Sequence, residues 1–310
     1  RKDEGDGQPN PAPTPSPKKG PELNCVNDCY AISLLRALFA ANKFSDKLTP
    51  PAGNPDHYDD KNALLAYLYD LIHVRKDLYT LRHLPMPQGA GSFLKLLKPG
   101  RQCDISDALK AFVEQLKTDV FRIRYLPPAW KPGINVTEGN FIVCVREHSD
   151  TSETVQTIIN QWLDGGDKTK VFPILLPDVL VVSIRQQANQ NRRRFDCVIS
   201  VPIFKDDKTY DETKYRDEEP SRIPTVRVDM QYELVAVTLH VDLMEGDDGE
   251  VGHYVVVTRK PGETTWKLLD NTRDPLKEEP TMRVVDERLI LSDLHTEVSM
   301  CTLFYQRIGL

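Results

Sequence analysis

The chain has 310 residues, 40% of them hydrophobic, enough for one large domain or two medium ones with a true core. Its net charge of −6 argues against nucleic acid or an anionic membrane as the main partner. No apolar run approaches a membrane span, and the charged, Pro-rich opening is unlike a signal peptide. The chain begins at Arg1 rather than Met, so it is expected to be a fragment of a longer protein.

Residues 1–20 combine Pro, Gly and charge without a large apolar residue, and read as a disordered leader. Next comes Asn24-Cys-Val-Asn-Asp-Cys29-Tyr30, leading into an apolar run to Ala40. Ile32, Leu35, Leu38 and Phe39 recur at helical steps, which predicts a helix with one buried face. Asn27 and Asp28 are capping residues, so the helix should start within a residue or two of Cys29. A thiol there faces unpaired backbone N–H groups and the positive end of the helix dipole. Both favour the thiolate, the nucleophilic form. The alternative is a small buried residue that merely opens a core helix.

Leu64, Leu65, Leu68, Leu71 and Ile72 predict a second helix, and Phe93, Leu94, Leu96 and Leu97 a short third. Ser106 is the expected cap of a fourth through Leu109, Phe112, Val113 and Leu116. The pattern then changes to short β-branched runs: 140–145, 179–184, 196–201, 233–240, 253–258, 266–270 and 298–305. A helix is expected between the first two, over 154–163. Helices first and strands later predict an α+β protein, a helical lobe packed on an antiparallel sheet.

Six cysteines stand at 25, 29, 103, 144, 197 and 301, with no Cys-x-x-Cys among them. That is neither a disulfide framework nor a zinc ribbon, and dispersed thiols suit the reducing cytoplasm or nucleus. His240 closes one expected strand and His253 opens the next, across an acidic, Gly-containing loop. A histidine fixed by a strand beside an open loop suits a general base, although a plain surface-loop histidine reads the same way. Asp270 ends the following strand and could hold the His253 ring, completing a nucleophile, base and orienter. It could also simply terminate its strand.

These stretches resemble the ubiquitin-specific proteases. Asn24 to Tyr30 is similar to that family's Asn-x-Gly-Asn-Thr-Cys-Tyr box. Tyr232 to His240, Gly252-His253-Tyr254 and Trp266 to Asp270 resemble its His box. Leu176-Pro-Asp-Val-Leu180 resembles its Leu-Pro-x-Val-Leu strand and Leu303 to Arg307 its closing strand. Gln102-Cys-Asp104 with Asp107 echoes its Gln-Gln-Asp-Ala-x-Glu motif. The matches fall in family order from about residue 20 to 308.

The resemblance implies a papain-like fold in one catalytic domain over 21–310. About 21–130 would form a helical thumb and about 131–310 a β-rich palm. It implies a thiol protease that cleaves after the C-terminal glycine of ubiquitin. Cys29 would be the nucleophile, His253 the base and Asp270 the orienter, with Asn24 at the oxyanion and Asn271 as possible support. His240, Gly252, Tyr254, Asp104, Asp107 and the loop acids Glu245, Asp247, Asp248 and Glu250 become candidate contacts to the substrate's Arg-containing tail. His240 could equally be a packed strand-end residue, and the loop acids a solvated stretch. The partners implied are ubiquitin or a ubiquitin-like modifier and its conjugates, with no cofactor, and the chain is expected to be monomeric.

Two departures stand out. Val26 and Asp28 replace the family's Gly and Thr, and Asp28 is expected to cap the helix rather than face the thiol. Only about thirty residues, none of them Cys, separate Val145 from Leu176, where relatives carry zinc-binding fingers. The fingers are therefore expected to be absent or reduced, and structural zinc with them. Two other classes remain open: a silent ubiquitin-binding module on the same fold, and another Cys-His-Asp acyl-transfer enzyme.

Overall fold

The computed structural model describes residues 29–54, 57–75, 104–127, 130–140, 142–145, 154–164, 171–185, 195–206, 214–242, 252–270, 281–285 and 298–309. Helix α1 spans Cys29–Ala40, where the apolar spacing places it. It differs from the expectation of a single buried face, because Tyr30 through Leu38 are all buried. A helix enclosed on every side belongs to the middle of a core rather than its surface. One side meets the palm sheet, the other the remaining thumb helices.

Helix α2, Asp60–Tyr69, is capped by Asp59, whose carboxylate accepts the Asn62 N–H at 2.7 Å. A π-helical turn over Asp70–Arg75 follows it and keeps Leu71 in the core with Leu64 and Leu68. Helix α3 is Ile105–Leu116. Its cap is Asp104, not Ser106 as expected: Asp104 Oδ1 accepts the Ser106 N–H at 2.7 Å. Ser106 spends its hydroxyl on Ser183, 2.7 Å away in the palm. Lys117, left-handed at φ 49°, ends the helix. The short helix expected near Phe93 to Leu97 lies outside the described residues.

The strands are β1 (Ile123–Leu126), β2 (Thr137–Gly139), β3 (Ile142–Val145), β4 (Phe172–Leu175), β5 (Val179–Arg185) and β6 (Val198–Lys205). They continue as β7 (Val226–Asp242), β8 (Gly252–Thr258), β9 (Trp266–Asp270), β10 (Thr281–Val285) and β11 (Val298–Arg307). Helix α4, Val155–Asp164, stands where a helix was expected between β3 and β5. β2, β1 and β4 form a small sheet, and the palm is an eight-stranded sheet in the order β10-β9-β8-β7-β11-β5-β3, with β6 on the free half of β7. The pairing is not wholly antiparallel as expected, since β3 runs parallel to β5. Such a pair needs a long crossover, and the chain from Val145 to Val179, including α4, supplies it.

The sheet is buried on both faces. Val181, Ala236, Tyr254, Val256, Leu269 and Phe304 face the thumb helices. On the other side Leu180, Val182, Leu239, Val257, Cys301 and Tyr305 pack with Ile158 and Ile159 of α4. A third cluster, Leu126, Trp130, Val136, Ile174 and Tyr215, holds the small sheet. Of these elements, α4 and β4 lie in the interval between Val145 and Leu176 in which the resemblance places the fingers. Sheet and helices together make the mixed α+β fold expected, with a helical lobe on a β-rich one.

Candidate active site

Cys29, half-buried, is the first described residue of α1. Gly252 opens β8 opposite Asp242 of β7, and His253 is the next residue. Asp270 closes β9. Val256 pairs with Leu269 across β8 and β9, so strand alternation turns His253 and Asp270 to the same face, diagonal to one another. His253 Nε2 lies 2.7 Å from Asp270 Oδ1, with side chains 13% and 30% exposed. Cys29 is near enough to the ring to raise its affinity for a proton. Asp270 occupies Nε2, which leaves Nδ1 as the nitrogen that can serve the thiol.

Burial opposes charge on the ring. The hydrogen bonds to Asp270 and Cys29 and the charges of both groups outweigh it, and His253 is raised to about 9 from its ordinary 6.5. At neutral pH the imidazole therefore carries its proton. A protonated imidazole between a carboxylate and a thiol can give a proton to a leaving group and then take one from water.

The other candidates are placed differently. His240 does not close its strand, because β7 continues to Asp242. It pairs in register with Tyr254, ring centroids 4.6 Å apart, on the face away from His253. Tyr254 is 4% exposed and belongs to the core beside α1. Asp104 is committed to its cap, whereas Asp107 is exposed on the first turn of α3. Asn24, Cys25, Val26, Asp28, Glu245, Asp247, Asp248, Glu250 and Asn271 lie outside the described residues. Among the described residues no three His, Cys, Asp or Glu side chains are grouped to hold a metal. One residue the sequence reading passed over is Ser33, whose hydroxyl reaches from α1 to the backbone of β8. The available signal was a small polar residue four positions after Cys29 in an apolar helix.

Mixed helices and antiparallel strands in this arrangement make a fold of the ubiquitin-specific-protease type, and the sequence comparison agrees. The model of the family described as Ubiquitin carboxyl-terminal hydrolase matches residues 22–292, and the chain belongs to that family. Among curated protein sequences none matches the chain. Among solved structures, the SAGA Ubp8/Sgf11/Sus1/Sgf73 DUB module bound to ubiquitin aldehyde is similar, with TM-score 0.57 and 14% identity over 93% of this chain and 70% of that one. A variant of the module bound to monoubiquitin gives TM-score 0.58 and 12% identity, covering 93% and 69%. A yeast SAGA module carrying an Sgf73 mutant gives 0.55 and 13%, covering 93% and 68%. At such identities the likeness is one of fold.

Proposed function

We propose that this chain is a deubiquitinating thiol isopeptidase acting through Cys29, His253 and Asp270. The observation that carries the reading is the His253 ring, held at 2.7 Å by Asp270 and near enough to Cys29 for the thiol to raise its affinity for a proton. Cys29 Sγ, as thiolate, attacks the carbonyl carbon of the C-terminal glycine of ubiquitin. Negative charge develops on the carbonyl oxygen. First-turn N–H groups of α1 are donors of the kind that stabilise it, and Asn24 is the proposed side-chain donor. The C–N bond then breaks as His253 passes its proton to the departing amine, leaving a thioester. Water, deprotonated by His253, attacks the thioester, and the Cys29 thiolate leaves. Asp270 keeps the ring oriented through both steps, with Asn271 as a proposed support.

The family supports ubiquitin as the modifier, and two of the structural neighbours hold ubiquitin or its aldehyde. Asp107, exposed beside the cap of α3, and the acids Glu245, Asp247, Asp248 and Glu250 are the proposed contacts for a basic tail. Each such contact is worth under about 1 kcal/mol if exposed. The neighbours sit in a module with three further proteins, and the monomeric state expected from the sequence draws no support from them. A reducing compartment, cytoplasm or nucleus, is part of the proposal and rests on the dispersed cysteines.

The test is a ubiquitin whose C-terminus carries a thiol-reactive warhead. Wild type should form a covalent adduct and Cys29→Ala should not. Silence toward ubiquitin, SUMO and NEDD8 probes alike would overturn the proposal in favour of a non-catalytic binding module.

A further inference from the structure

Between Tyr30 and Phe39, helix α1 is apolar except for Ser33 and Arg36. Ser33 follows Cys29 by four residues and so shares its face of the helix. It is 1% exposed, a buried hydroxyl that would be costly without a partner. A helical serine commonly bonds back to a carbonyl of its own helix. Here the Oγ instead donates to the carbonyl oxygen of Tyr254 at 3.3 Å, linking residues 221 apart in the chain. Tyr254 directly follows His253.

Around this bond the contact between α1 and the sheet is largely apolar: Ala236, Tyr254, Val256 and Phe304 share a core with Ile32, Leu34 and Leu35. Apolar contact has no direction and tolerates a small slide of a helix along a strand. A hydrogen bond does not, because its distance and angle limits are narrow. One turn of helix separates Ser33 from the thiol, and one peptide separates its acceptor from the imidazole. We propose that Ser33 is a positioning residue that sets the register of α1 against β8 and thereby holds the Cys29 sulfur on the His253 ring.

The catalytic consequence rests on the thiol-protease reading, but the geometry can be tested without ubiquitin. In the full chain, the titration of His253 is followed by NMR. Alkylation by iodoacetamide is measured as the ratio of Cys29 to the half-buried Cys197. Ser33→Ala should stay folded, lower the His253 titration from the wild-type value near 9, and reduce the alkylation ratio about tenfold or more. With a ubiquitin amide substrate, kcat should fall by a similar factor with KM unchanged. Ser33→Thr, which keeps the hydroxyl, should restore most of each quantity. A merely structural serine would lower the melting temperature and move neither the titration nor the ratio, and that result overturns the proposal. If Ser33→Ala fails to fold, the isosteric pair Ser33→Thr and Ser33→Val makes the same comparison. Loss of the His253 shift in Ser33→Ala from a wild type that neither labels nor hydrolyses would uphold the register and overturn the protease reading alone.

Discussion

The two ends of the His253 ring do different work, and substitutions separate them. Asp270→Asn keeps a hydrogen-bond acceptor but removes the charge, so the ring should titrate below about 9, toward its ordinary 6.5, in an NMR titration. Hydrolysis should fall less than in His253→Ala, which removes proton transfer altogether and is expected to cost about 10²- to 10⁴-fold. The raised affinity for a proton also has a sign in stability. A group bound more tightly to its proton when folded stabilises the fold fully below the unfolded value, and that contribution is lost as pH rises through the folded one. His253 should therefore contribute stability at pH 6 that disappears between about 6.5 and 9. Thermal denaturation across that range should show a steeper decline in wild type than in Asp270→Asn, and equal slopes would contradict it.

At the scale of the elements, helix caps and strand edges settle which acids are free for a ligand. Asp104 and Asp107 lie three positions apart and looked alike in the sequence, yet one is a cap and the other faces solvent. Asp104→Ala should lower stability by about 1 kcal/mol. Asp107→Ala should leave the melting temperature within error and, on the proposed function, raise KM for a ubiquitin substrate. The exchange of roles between Asp104 and Ser106 was not legible because both residue types cap helices. Only the position of Ser183, supplied by the folded palm, decides between them. Other elements were plainly written. The apolar run of α1 and the strands carrying His253 and Asp270 stand where the sequence placed them. β1, β2, β4 and β10, runs of three to five residues, were missed, although β3 and β9 are as short and were read. β7 was read as half its length, the alternation of polar and apolar residues from Val226 to Gln231, itself a strand signal, having been passed over. The outer edge of β6 is sealed in a way no pattern announces. The Gln156 amide of α4 donates to the Ser200 carbonyl at 2.9 Å and accepts its N–H at 2.7 Å, standing in for a neighbouring strand.

Across the whole molecule, the expected division into helical and β-rich lobes is present, while Cys29, His253 and Asp270 were offered as nucleophile, base and orienter by residue type and strand position, and again by the family resemblance. The small sheet shows the reverse case, a unit invisible in periodicity but held by its own apolar cluster. Arg124 ties it down from within, donating to the Tyr215 and Glu218 carbonyls at 2.5 and 2.9 Å. Trp130, 4% exposed and bonded through Nε1 to the Ile134 carbonyl, fills its centre. Trp130→Ala should cost about 3–5 kcal/mol, and a zinc chelator should leave the melting temperature of wild type unchanged. Loss of structure on chelation would show that a metal, rather than this cluster, holds the region.

The place of β11 decides when the site can exist. It lies between β7 and β5, bonded to both along most of its length, so the strand made last among those described is the central one rather than an edge. A ribosome that has delivered Cys29, His253 and Asp270 has not yet delivered the strand that lets β7 and β5 meet. Until Val298 to Arg307 emerges, the halves of the palm have nothing to close on, and α1 has no complete sheet to lie against. On the proposed function, the thiol can act only after synthesis has passed β11, and a partly made chain carries the cysteine without the sheet that would position its partners.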